Sequence, residues 1–189
     1  MRAPVLLCLA LGAAPTVAGC GADVTPPPAP PPCEEECKDE IAIRALRETT
    51  KLAFNLTFQG KPVGSHDLVT PCPLGGGARV SGTASSNAIQ GATEVKLTYV
   101  LLGCSYLFKD EDAKENYRMT LTGTMTQEGI IAVQPSATTA LVMRSEKMTF
   151  AGTVHDPPID YDAECPVELG QNGNVLTGTI CGRDASTDL

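Results

Sequence analysis

Eight cysteines, two histidines and several closely spaced acids are the residues of this chain whose types invite chemistry. Six of the eight, Cys33, Cys37, Cys72, Cys104, Cys165 and Cys181, lie beyond the first twenty residues, and an even set in an exported chain points to three disulfides. Turn spacing narrows the pairing. Gln171-Asn172-Gly173-Asn174 is a strong hairpin turn, and Cys165 and Cys181 each stand eight residues from Gly173, so they should face one another. Cys72 and Cys104 are each sixteen residues from Ala88, inside a second polar, turn-like stretch. Cys33 and Cys37 then pair by elimination, and a four-residue spacing requires Cys33 to lie outside regular helix. The competing chemistry is a metal held by Cys33 and Cys37 with His66 or His155. Zinc sites favour closer pairs with two further ligands, and oxidised thiols offer none, so no metal or cofactor is expected.

Ser65, His66 and Asp67 carry the types of a nucleophilic relay, but neighbours in sequence cannot aim their side chains at one point. His66 and His155 both fall in turn-rich stretches and read as surface loop residues. The nucleophile-elbow, phosphate-loop and Ser-x-x-Lys patterns are absent. Asp160, Asp162 and Glu164 alternate like the start of a calcium loop, yet Cys165 stands where the sharp turn needs glycine and Gln171 where the last carboxylate belongs. Asp110, Glu111 and Asp112 are a looser acidic group, read as solvated. No catalytic residue is expected, and the chain reads as a non-enzyme.

With 14 basic against 22 acidic residues and a formal net charge of −8, the chain suits neither nucleic acid nor electrostatic docking on anionic lipid. Four Tyr, four Phe and no Trp give sugar binding little platform. Thr120, Thr122, Thr124 and Thr126 form a ladder of the kind ice binding uses, but a single one is ordinary solvent-facing strand chemistry.

The elements that must position these residues are mostly strands. Glu34-Glu35-Glu36 opens a helix to about Glu48, with Cys37, Ile41 and Ala45 as a narrow apolar stripe. From Lys51 to Phe58 the alternation of Leu52, Phe54, Leu56 and Phe58 predicts a strand. Further alternating runs centre on Val95–Leu101, Met119–Met125 and Met148–Val154, with shorter strands at 78–85, 130–134, 139–144, 165–169 and 175–181. Short strands without helical insertions predict a mainly β fold, an antiparallel meander forming a small barrel or sandwich with one short N-terminal helix. Residues 33–189 should be one domain, long enough to bury a core of its own. Val80-Ser81-Gly82-Thr83, Leu121-Thr122-Gly123-Thr124, Phe150-Ala151-Gly152-Thr153 and Leu176-Thr177-Gly178-Thr179 repeat irregularly, each glycine expected where strands bend or crowd.

The N-terminus supplies the address. Arg2 followed by an apolar run from Ala3 to Ala14 reads as an export signal too short to span a bilayer permanently. It closes on Val17-Ala18-Gly19-Cys20, which resembles the lipobox of bacterial lipoproteins. The resemblance implies cleavage after Gly19 and acyl chains on Cys20, which anchor stably when two or more are present. Gly21, in place of the Asp that retains such proteins in the inner membrane, implies the outer membrane. Residues 1–19 are then signal and 20–32 a tether, whose seven residues from Pro26 to Pro32 extend to about 20 Å as polyproline II. The globular part is similar to β-rich envelope lipoproteins of Gram-negative bacteria. The expected function is a membrane-anchored, non-enzymatic domain for envelope structure or protein recognition. The alternative is a barrel carrying a lipid or other apolar ligand in a lumen lined by Leu97, Tyr99, Leu121 and Met125.

Overall fold

Glu34 stands at the N-cap of helix α1, Glu35–Thr57, and Glu35 and Glu36 occupy the first turn, where exposed backbone N–H groups favour negative charge. The computed structural model describes residues 32–87, 91–110, 115–132 and 138–189. The signal, Cys20, most of the tether, the pivot Ala88, and Glu111 and Asp112 lie outside them. At 23 residues α1 is long, and it runs through the stretch expected to be a strand. The alternation from Leu52 to Phe58 does not decide the element, because Leu56 is exposed while Ala53 and Thr57 are buried. Ala42, Ala45, Leu46, Thr49, Ala53 and Thr57 recur at spacings of three and four, a helical face built from small residues. Nor is the buried face a narrow stripe. Ile41, Ala42, Ile43, Ala45 and Leu46 are all buried, so the helix is enclosed over most of its circumference there.

What encloses it is one antiparallel sheet of eight strands in sequence order. They are β1 (Gly64–Pro71), β2 (Gly77–Asn87), β3 (Ala92–Phe108), β4 (Tyr117–Ala132), β5 (Ala140–Val154), β6 (Ile159–Asn172), β7 (Val175–Ile180) and β8 (Arg183–Asp188). The mainly β meander is therefore the fold. The sheet ends at β1 and β8 without pairing them, so it is an open curl and not a closed barrel. Helix α1 packs across the sheet and against both of its edges, and it also hydrogen-bonds to β6. The runs expected as separate strands at 119–125 and 130–134 are one strand, β4, whose description ends at Ala132. The two expected at 139–144 and 148–154 are likewise one, β5.

Bending such long strands requires the devices the repeats supply. Gly82, Gly123, Gly152 and Gly178 all have φ between 136° and 157°. At Gly123 a Cβ atom would lie 2.7 Å from the Lys147 carbonyl oxygen, and at Gly178 it would collide with that of Glu168. The glycines thus let neighbouring backbones close in where the sheet curls. Register shifts between Leu101 and Cys104, Gly123 and Thr126, and Ser145 and Met148 add the bulges that turn the strands. Pro166, with no N–H to give, sits opposite the last of these. Leu97, Tyr99, Leu121, Met125, Met143 and Phe150 face inward and share one core with Ile43 and Leu46 of α1.

Candidate functional site

All three expected disulfides form, the two read from turn spacing and the one left by elimination. Cys33–Cys37 closes just outside and inside the start of α1, with Cα atoms 5.2 Å apart, and Cys33 is non-helical. Cys72–Cys104 joins the end of β1 to β3 across β2. Cys165–Cys181 joins β6 to the β7–β8 turn, beyond the hairpin that turns at Gly173.

Ser65, His66 and Asp67 lie in strand β1, not in a loop, and successive side chains of a strand point to opposite faces. Asp67 turns outward to form a bidentate pair with Arg79 of β2, and that guanidinium holds its carboxyl below the usual range. His66 turns inward, its ring edge-on to Phe58 and Nε2 bonded to the Pro62 carbonyl at 2.8 Å. No relay forms. His155 lies in the β5–β6 turn with φ 71°, and its backbone N–H donates to the Asn116 carbonyl. Its Nδ1 is buried without a partner among the described residues, and its ring stands beside Cys33 and Cys37, the ligand atoms of the three lying within 4.8 Å. The grouping weighed from sequence is thus brought together, but each sulfur is bonded to the other, and a disulfide sulfur is a poor ligand compared with the thiolate that binds metal. The acids 160, 162 and 164 are spread along β6; Glu164 pairs with Lys147 and accepts from Thr149.

Two buried charges that sequence reasoning passed over sit on α1. Asp39, fully buried, accepts two hydrogen bonds from Arg183 of β8, at 2.6 and 2.8 Å, and one from the Tyr161 hydroxyl of β6 at 2.7 Å. Such an arrangement satisfies the carboxylate and clamps the helix to the edge strand. Arg47, two turns further on, is 7% exposed and, among the described residues, has no acid paired with it. Its Nε donates to Gln171 Oε1 of β6 at 2.5 Å, and Gln171 in turn donates to the Gly173 carbonyl. Burial holds the guanidinium below its usual range. In the same pocket lining, Gln127 of β4 is 2% exposed, with Oε1 buried and without a donor among the described residues. Arg47, Gln127 and Gln171 line one pocket of about 430 Å³ at the open end of the curl, walled also by Phe54, Ile131 and Leu189.

No family model, curated protein or solved structure matches this chain.

The site therefore has to be judged on its own chemistry. A larger groove, about 900 Å³, lies on the outer face along the β4 and β5 bulges. Its two basic groups are already matched: Arg144 bonds Glu168 at 2.9 Å and Lys147 bonds Glu164 at 2.7 Å. The threonine ladder borders it and is engaged with the sheet, Thr120 with Ser105 and Thr122 with the Gly103 N–H. The Arg47 pocket is smaller but, among the described residues, holds a buried oxygen without a donor, Gln127 Oε1, beside a guanidinium with no ion-pair partner. Helix periodicity is the cue that could have found it, since Arg47 stands four residues after Ile43 and three before Thr50, both buried.

Proposed function

We propose that this chain is a lipid-anchored envelope protein whose β domain is a non-enzymatic structural or recognition module. The observation that carries the reading is the seat of α1. A carrier of the lipocalin kind keeps the concave face of its sheet for cargo. Here Leu97, Tyr99, Leu121 and Met125, the residues a lumen would present, pack in one core with the helix. Support for the address comes from Val17-Ala18-Gly19-Cys20 and the proline run after it. Recognition in this reading falls to the outer face near the Cys72–Cys104 bond, where Val69, Leu74 and Leu102 are exposed at 75%, 45% and 63%.

Two experiments test the proposal. Cys20→Ala should abolish incorporation of labelled fatty acid, and persistent labelling removes the anchor. Native mass spectrometry of the detergent-solubilised chain, followed by solvent extraction, should find no apolar adduct beyond the anchor's acyl chains. A stoichiometric lipid released by solvent would overturn the module in favour of a carrier.

A further inference from the structure

We propose that the pocket built on Arg47, Gln127 and Gln171 binds a small organic carboxylate that carries a hydrogen-bond donor beside its acid group. Among the described residues no carboxylate lies within ion-pair distance of Arg47, and its one side-chain partner, Gln171, is neutral. Glu48, whose charge acts on Arg47, and Lys51 line the same pocket and are paired with each other at 3.3 Å, which leaves the guanidinium as the pocket's unmatched charge. A buried charge without a counter-charge is costly, and natural folds retain one where something neutralises it. The fork of N–H groups that Gln171 leaves free matches a carboxylate edge.

One guanidinium neutralises one monoanion, and the chain's acidic balance disfavours a phosphate dianion at the same place. The buried Gln127 oxygen has no donor among the described residues, so the fitting ligand brings a hydroxyl or N–H next to its acid. Phe54, Ile131 and Leu189 give a short aliphatic tail an apolar wall. A pocket of about 430 Å³ at the end of the sheet admits such a molecule without displacing α1 from the core. The inference does not depend on the lipid anchor and stands if Cys20 proves unmodified.

The test is calorimetric titration of the full chain with 2-hydroxy-4-methylpentanoate, with 4-methylpentanoate and with inorganic phosphate. The hydroxy acid should bind with a dissociation constant below about 1 mM, at least tenfold more tightly than the acid lacking the hydroxyl, and phosphate should not compete. Arg47→Met should abolish binding while leaving the melting temperature unchanged or higher, because it removes an uncompensated buried charge. Gln127→Leu should erase the preference for the hydroxyl and keep binding of 4-methylpentanoate, a readout that stands even if Arg47→Met does not fold. No binding of either acid to the native chain, binding untouched by Gln127→Leu, or tighter binding of phosphate would each overturn the assignment.

Discussion

Asp39 and Arg183 are unequal partners, and the difference is measurable. Asp39 is wholly enclosed, whereas the Arg183 side chain is 45% exposed. Removing the carboxylate frees an arginine that can turn to water, so Asp39→Asn should cost about 1–2 kcal/mol. Removing the guanidinium strands a carboxylate in the core, so Arg183→Met should cost about 3 kcal/mol or more. Urea unfolding gives both values, and equal losses would mean that the carboxylate finds water. The tyrosines add a pH dependence. Burial raises Tyr99, Tyr117 and Tyr161 well above the usual phenol value, and at Tyr161 the hydrogen bond to Asp39 raises it further. The folded chain keeps protons that the unfolded chain releases near pH 10. Stability is therefore fully present below about pH 10 and falls as pH rises beyond it. Melting followed by circular dichroism, with phenolate absorbance at 295 nm, should show the loss beginning before these three phenols ionise; a flat melting temperature from about pH 9 to 11 would refute it.

At the scale of elements, the repeated glycines make the sharpest prediction. A methyl group at Gly178 would collide with the Glu168 carbonyl and stand 2.8 Å from the Leu169 Cα, whereas at Gly182 nothing lies within 4 Å. Gly178→Ala should cost about 3 kcal/mol or more through backbone displacement. Gly182→Ala, strained only by its φ of 75°, should cost about 1 kcal/mol in the same unfolding assay. Those glycines, the hairpin at Gly173 and two of the cysteine pairs were legible in the sequence because turn chemistry and symmetric spacing are local, and Cys33–Cys37 followed by elimination. Strands β1 and β8 were not. Ser65-His66-Asp67 carries turn-favouring types, and β8 places only Ala185 in the buried class, as a polar edge strand does. The second half of α1 was misread because its large apolar residues alternate while its buried face is made of Ala and Thr. Arg47 escaped for a related reason: a charged residue on a helix reads as solvated until the sheet around it is known.

The molecule as a whole holds its curl without closing it. Strands β1 and β8 end the sheet unpaired with each other, and α1 contacts both. The disulfides do not tie helix to sheet, since Cys33–Cys37 is confined to the helix start and the other two link parts of the sheet and its turns. The span between the edges is therefore held by packing, with Ile43 and Leu46 fully buried at its centre and Asp39 clamping one side. Leu46→Ala removes three methylene-scale groups from that centre and should cost about 3 kcal/mol. Because the helix supports both edges, amide exchange should quicken in β1 and β8 together, although seven steps of the sheet separate them. Exchange by mass spectrometry resolves the two strands. Acceleration at one edge alone would show that the sheet keeps its curvature from glycines and bulges, with the helix as filling and not as brace.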